Sequence, residues 1–286
     1  MSSIQKAFQN GKVFFAFLTC GDPDLQTTAA AVRAAVAGGA DLVELGIPFS
    51  DPTAEGPLIQ EANLRALQNG VTTDQIFDLV RELRLEVKVP MVFMTYANVV
   101  FSYGAERFIS TCQAIGIDGL VLPDLPLEEK GEFQPLCLQY GLDLISLIAP
   151  TSRERIARIA RDAEGFLYLV SSPEVTGAGK ESHTGLASIV NVVRQNTDLP
   201  CVIGFHTSTP AHAGSLAALS DGIIAESAIV SLLKTYGNAA PAHIEAYVRS
   251  IKEAMKPNTP LQATGHQICS AAEQRGIWSS LHFGRC

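Results

Sequence analysis

Short apolar runs recur along the whole chain, and segments with helical periodicity separate them. The runs predict eight β-strands, at residues 13–19, 42–46, 91–95, 119–122, 142–148, 166–170, 201–204 and 222–225. Apolar residues fill these runs almost continuously, a pattern typical of parallel strands that are covered on both faces of the sheet. The sequence therefore predicts a buried parallel sheet.

Apolar residues three and four positions apart predict helices between the strands, at residues 27–37, 75–85, 106–114, 152–161 and 186–194. Capping residues support two of them, because Thr72 precedes the second and Ser152 opens the fourth. Strands that alternate with helices indicate βα units, and eight such units fit a single (β/α)₈ TIM barrel with extra helices. A doubly wound α/β sheet is the alternative, but no Gly-rich nucleotide turn follows the first strand.

The composition narrows the class of protein and partner. The 286 residues are 47% hydrophobic and 17% charged, which indicates a soluble globular protein with a large core. A net charge of -8 without a basic stripe argues against nucleic acid or an anionic membrane as a partner and favours a small molecule or a protein. We find neither an apolar leader region nor a run of about 18 apolar residues, so we expect a cytoplasmic protein.

The cysteines and the C-terminus complete this outline. Six scattered cysteines form no CxxC pair, which favours buried thiols in a reducing cytosol over disulfides, and no metal site is expected. The amphipathic pattern ends at Pro257. We therefore expect a barrel domain at residues 1–256 and a poorly ordered C-terminal extension at 257–286.

Two acidic residues occur where the second predicted strand ends. Glu44 lies within the apolar strand, and Glu55 lies in the loop that follows. Because a buried carboxylate is costly, Glu44 must be paired, neutralised or used for proton transfer with a raised pKa; a strand-end glutamate bonded to its neighbours is the simpler alternative. The turns at residues 175–177, 204–208 and 226–230 offer backbone N–H groups to an anion at the same end of the barrel.

Six motifs in one order carry a family resemblance. They are Phe-Leu-Thr-Cys-Gly-Asp-Pro at 17–23, Glu-Leu-Gly-Ile-Pro-Phe-Ser-Asp-Pro at 44–52, Tyr-Ala-Asn-Val-Val-Phe at 96–101, Asp-Leu-Pro at 124–126, Val-Thr-Gly-Ala at 175–178 and Ser-Ala-Ile-Val at 227–230. Through these motifs the chain resembles the alpha subunit of tryptophan synthase, the indole-3-glycerol-phosphate lyase, over roughly residues 4–256. The run at 44–52 is the most specific of them.

The resemblance implies a retro-aldol cleavage of indole-3-glycerol phosphate to indole and glyceraldehyde 3-phosphate, without metal or organic cofactor. It makes Glu44 the mobile acid and base, and Glu55 the carboxylate that binds the indole N–H. Phe17 and Tyr96 match positions that wall the indole pocket, and Tyr168 matches a family tyrosine near the catalytic glutamate, although each also suits ordinary core packing.

The resemblance also implies how the phosphate and the partner bind. Phosphate contacts are expected from Gly177, Phe205, His206, Glu226 and Ser227. Thr176, in a mobile loop, is expected to pair with Glu55. Asp51, Pro52 and Asn98 match loops that face the tryptophan synthase beta subunit in an alpha2beta2 complex.

Four departures from the family pattern lie in this region. Glu55 replaces an aspartate, His206 and Glu226 replace glycines of the phosphate turns, and the loop at 171–177 lacks the usual arginine. Glu226 would repel a phosphate if it faced the site and would leave it undisturbed if it pointed into solvent. The alternative function is therefore a catalytically impaired alpha-like subunit that binds and modulates a beta subunit.

Overall fold

The computed structural model describes residues 1–170, 180–205 and 209–256, without the side chains of 180–184 and 205. Eight parallel strands form a closed barrel in the order β1 to β8. The strands are β1 Val13–Thr19, β2 Leu42–Gly46, β3 Met91–Met94, β4 Gly119–Val121, β5 Asp143–Ile148, β6 Leu167–Val170, β7 Cys201–Phe205 and β8 Gly222–Ala225. The predicted (β/α)₈ barrel is confirmed, and each predicted strand is found within one residue of its expected ends.

Helices surround the barrel. They are α1 Ser3–Ala7, α2 Leu25–Gly38, α3 Pro57–Gln68, α4 Thr73–Arg84, α5 Ala97–Tyr103, α6 Ala105–Ile115, α7 Gln134–Tyr140, α8 Arg153–Arg161, α9 Lys180–Arg194, α10 Pro210–Leu219, α11 Ser227–Tyr236 and α12 Ala240–Ala254. The five predicted helices correspond to α2, α4, α6, α8 and α9, and the Thr72 and Ser152 caps both accept a backbone N–H bond. The remaining helices have no predicted range, and two of them, α3 and α5, lie directly after β2 and β3.

Strand alternation decides which side chains enter the barrel. In β1, Phe15 and Phe17 lie in the interior cluster, whereas Phe14, Ala16 and Leu18 pack against the helices. The same period of two places Leu42 in the interior and Val43 and Leu45 outside. Glu44 is two positions after Leu42, so its side chain shares the interior face of β2.

A carboxylate clamp repeats four times at the amino-terminal ends of the strands. The strands form the pairs β1/β2, β3/β4, β5/β6 and β7/β8. In each pair, an acidic residue just before the second strand accepts a hydrogen bond from a backbone N–H at the start of the first strand. The pairs are Phe14 with Asp41 (2.7 Å), Met91 with Asp118 (2.9 Å), Leu144 with Glu164 (3.3 Å) and Cys201 with Asp221 (2.9 Å). Each acid also meets a cation, and these cations are Lys252 (2.5 Å), Arg84 (2.5 Å), Lys130 (3.9 Å) and Arg194 (3.7 Å).

The sequence analysis also made predictions about the cysteines, membrane-spanning segments and the C-terminal extension. The described cysteines, Cys20, Cys112, Cys137 and Cys201, are free and buried. Among the described residues, no helix is both long enough and apolar enough to cross a membrane. The expected extension at 257–286 lies outside the described residues, as do Cys269 and Cys286.

Candidate active site

Glu44 is a completely buried carboxyl group within an apolar strand. Its neighbours in the strand register are Phe17 on β1 and Val92 on β3, and both are buried. Neither carboxyl oxygen has a hydrogen-bond partner among the described residues. Burial raises the pKa of Glu44 well above its usual value, and the charges of Glu226 and Glu55 raise it further. Both effects favour the protonated form of Glu44, the form that can donate a proton.

Glu55 provides a second carboxyl group, in the loop between β2 and α3. Burial raises its pKa to about 7, a hydrogen bond from Asn63 lowers it, and the charge of Glu226 raises it. The Asn63 amide donates to Oε2 of Glu55 at 2.6 Å. Burial therefore favours the protonated form of Glu55, and the hydrogen bond from Asn63 favours the ionised form.

Aromatic residues hold the loop that carries Glu55. The backbone N–H of Ala54 donates to the Tyr96 hydroxyl at 3.0 Å, and the Tyr96 ring stacks on Phe49 with centroids 5.0 Å apart. Tyr96 is buried, and burial raises its pKa above the usual value. It remains a neutral hydroxyl that fixes the residue next to Glu55.

Tyr168 and Glu226 form the opposite side of the site. Tyr168 is on the interior face of β6, and its hydroxyl donates to the carboxylate of Glu226. Gly204 leaves room for the ring, since a Cβ at that position would lie 2.6 Å from Cε2 of Tyr168. Glu226 is the N-cap residue of α11, but its side chain does not cap that helix. It faces the interior of the site, which answers the question that the sequence left open.

A cavity of about 590 Å³ lies between these groups. Glu55, Tyr168, Gly204 and Glu226 line it, together with the segments that follow β4 and β5. The volume suits a small organic ligand. Glu55 and Glu226, which follow β2 and β8, present carboxyl groups to the cavity at the C-terminal end of the barrel and can exchange protons with such a ligand.

Comparison with known proteins identifies the family. A family model described as tryptophan synthase alpha chain matches residues 4–259. The chain belongs to the tryptophan synthase alpha chain family. Two similar curated relatives bear that name: one from Lacticaseibacillus casei, 47% identical over 255 residues, covering 89% of this chain and 96% of the relative, and one from Lactiplantibacillus plantarum, 44% identical over 260 residues, covering 91% and 98%.

Solved structures of tryptophan synthase share the fold. Subunit alpha from Legionella pneumophila superposes with a TM-score of 0.81 at 33% identity, covering 89% of this chain and 98% of that one. A tryptophan synthase chain from M. tuberculosis gives a TM-score of 0.80 at 29% identity, covering 90% and 100%. The chain is thus an alpha subunit of tryptophan biosynthesis, with the family's lyase activity on indole-3-glycerol phosphate. These comparisons do not favour an impaired alpha-like subunit over the lyase.

Several residues with a role implied by the tryptophan synthase alpha family are placed by the structure. Phe17 is buried beside Glu44, and Ser227 is the first residue of α11. Asp51 and Asn98 are exposed, on the β2–α3 loop and on α5, and Pro52 is partly buried. Phe205 ends β7, but its side chain is not described. Thr176, Gly177 and His206 lie outside the described residues, so their roles stay predictions.

Asn63 is the site residue that the sequence analysis missed. It lies on α3, has an exposed fraction of 4%, and bonds directly to Glu55. An asparagine in a polar helical stretch carries little signal by itself. A prediction of α3 from Pro57 at its first position, followed by apolar residues at Ile59, Ala62 and Ala66, would have identified Asn63 as a buried amide near Glu55.

Proposed function

We propose that Glu44 and Glu55 perform the proton chemistry of indole-3-glycerol phosphate cleavage in this chain. The observation that carries the proposal is the buried Glu44, whose carboxyl oxygens have no hydrogen-bond partner in the described parts of the chain. Its pKa is raised by burial, and the charges of Glu226 and Glu55 raise it further. A neutral carboxylic acid and a second, ionisable carboxyl group are what the reaction requires.

Glu44 acts first as an acid and then as a base. It donates its proton to C3 of the indole ring, which leaves the ring cationic and weakens the bond to the glycerol carbon. The Glu44 carboxylate then takes the proton of the adjacent glycerol hydroxyl while that bond breaks and its electron pair returns to the ring. Indole and the aldehyde leave, and Glu44 is again protonated. The charges of Glu55 and Glu226 favour this second step, because they make the Glu44 carboxylate more basic.

Glu55 stabilises the positive charge that develops on the ring. Its carboxylate accepts the hydrogen bond of the indole N–H, and this bond strengthens as the ring becomes cationic. Tyr168 lines the space for the ring, while Phe17 lies beside Glu44 and Tyr96 holds the loop that carries Glu55. The phosphate lies toward the turns after β7 and β8, where Ser227 begins α11.

The pH profile of indole release tests this assignment. Glu55 must be ionised to accept the indole N–H, and its pKa is about 7. We expect kcat/KM to fall about tenfold per pH unit below pH 7, and to fall again at alkaline pH as Glu44 loses its proton. Failure to release indole from indole-3-glycerol phosphate at any pH, with or without a beta subunit, would contradict the proposal.

The same family role includes pairing with a tryptophan synthase beta subunit in an alpha2beta2 complex. We assign the exposed Asp51 and Asn98, with Pro52, to this contact, because they lie on two neighbouring segments at the mouth of the barrel. An Asn98→Arg variant should weaken co-elution with the beta subunit by about tenfold or more in Kd, since it places a bulky charge in the interface. Unchanged co-elution would rule out this position.

We further place the chain in the cytoplasm. The four described cysteines are free and buried, which suits a reducing compartment.

A further inference from the structure

Asn63 uses its side-chain amide at three contacts. Nδ2 donates to Oε2 of Glu55 at 2.6 Å and to the carbonyl of Ile59 at 3.1 Å, while Oδ1 accepts the backbone N–H of Phe49 at 3.4 Å. Since only Oδ1 can accept the Phe49 N–H, the amide has one orientation, with its donors toward Glu55. One buried side chain therefore connects both ends of the loop between β2 and α3.

The helix that carries Asn63 is itself held firmly. Ile59, Ala62 and Ala66 of α3 are buried against the barrel. Arg65 donates to both carboxylate oxygens of Asp22, at 2.7 Å each, and Asp22 is 1% exposed. Buried charge-assisted bonds of this bidentate kind fix geometry well. Asn63 thus links Glu55, in the loop, to the firmly held helix α3.

The bond to Asn63 decides which part of Glu55 faces the cavity. Glu55 is one methylene longer than the aspartate expected at this position, and it has correspondingly more rotamers. Asn63 holds Oε2, and the hydrogen bonds of the described residues leave Oε1 without a protein partner. Because Glu55 lines the cavity, Oε1 is the oxygen available to a ligand.

We propose that Asn63 is a positioning residue for the lyase reaction: it holds Oε2 of Glu55 so that Oε1 meets the indole N–H. This inference rests on the proposed role of Glu55. Asn63 contacts no reacting atom and acts only through that carboxylate. It also favours the ionised form of Glu55, since its hydrogen bond opposes the effect of burial.

Gln60 offers a matched control on the same helix. Its Nε2 donates to the carbonyl of Glu55 at 2.8 Å and to that of Pro52 at 3.4 Å, so it ties the same loop through backbone atoms alone. If loop anchoring were the whole role of Asn63, loss of either amide would have a similar effect. If Asn63 positions the carboxylate, only its loss changes the chemistry.

The test compares Asn63→Leu, Asn63→Asp and Gln60→Leu by steady-state indole release across pH. Asn63→Leu removes the amide at similar size, and Asn63→Asp keeps the acceptor for Phe49 if leucine is not tolerated. We expect both Asn63 variants to lose about 10²-fold in kcat, as misplaced catalytic groups do, with the acid limb moved to higher pH. Gln60→Leu should change kcat by no more than about twofold.

The phosphate of the substrate titrates near pH 6 and also contributes to the acid limb of the pH profile. Its titration is the same for every variant, so a shift of the acid limb between variants reports on the enzyme.

A double-variant cycle separates positioning from structure. In a Glu55→Gln background, Asn63→Leu should cost no further activity, because no carboxylate remains to be positioned. Equal losses in both backgrounds, or an Asn63 variant with unchanged kcat and acid limb, would overturn the inference. An inactive parent chain would instead contradict the proposed function, so the two failures are distinguishable.

Discussion

The Glu44→Gln variant is expected to release indole about 10³-fold more slowly than the parent chain. Glutamine has the same size but no proton to donate to C3, and a positioned general acid typically contributes 10²- to 10⁴-fold. Because burial raises the pKa of Glu44 and so favours its uncharged form, the neutral amide of glutamine suits the barrel interior. The loss should therefore appear in kcat while the folded state persists.

The measurement is single-turnover indole release, with a urea unfolding midpoint for each variant. Glu61→Gln is the matched control, since Glu61 is an exposed glutamate on α3 that pairs with Lys234. It should retain activity within about twofold. A Glu44→Gln protein with more than a tenth of the parent rate would remove Glu44 from the proton-transfer role.

The Glu226→Gly variant is expected to bind indole-3-glycerol phosphate about tenfold or more tightly, seen as a lower KM. Glu226 lines the cavity and precedes the helix that begins at Ser227, where the phosphate is placed. Two unit charges about 8 Å apart repel by roughly 2 kcal/mol at an effective dielectric constant near 20. A doubly charged phosphate increases this penalty, and glycine removes it.

Glu226→Gln separates charge from size in this prediction. It keeps an oxygen that can accept the Tyr168 hydroxyl but carries no charge. If KM falls equally in both variants, the effect is due to the charge of Glu226. If KM falls only in Glu226→Gly, the effect is due to the space that the side chain occupies. A KM unchanged in both would show that the carboxylate does not face the phosphate.

The barrel fold and the position of Glu44 inside it could both be predicted from the sequence. Continuous apolar runs separated by helical periodicity determine eight buried parallel strands, and closure of the barrel follows from their number. A period of two along β2 then places Glu44 on the same side as Leu42, so its burial, the main cause of its raised pKa, follows from the local pattern. Tyr168 on β6 follows by the same rule.

Contacts made by the loops were beyond this kind of prediction. The direction of Glu226 depends on the turn after β8 and on the space that Gly204 leaves for Tyr168, and neither is a property of periodicity. The contact of Asn63 with Glu55 depends on where α3 begins and on how the preceding loop is folded by Tyr96 and Phe49. Such contacts depend on the conformation of the loop, which the spacing of apolar residues does not predict.

The four carboxylate clamps take their cations from different parts of the chain. Arg84 and Arg194 end the helices that precede β3 and β7, and Lys130 likewise lies ahead of β5. Lys252 plays the same part for the first pair of strands from α12, the last described helix of the chain. The first strands of the barrel and its last described helix are thus joined by the same kind of contact that joins the interior quarters. The clamp therefore treats the first pair of strands in the same way as the other three, although its cation comes from a helix at the opposite end of the barrel sequence.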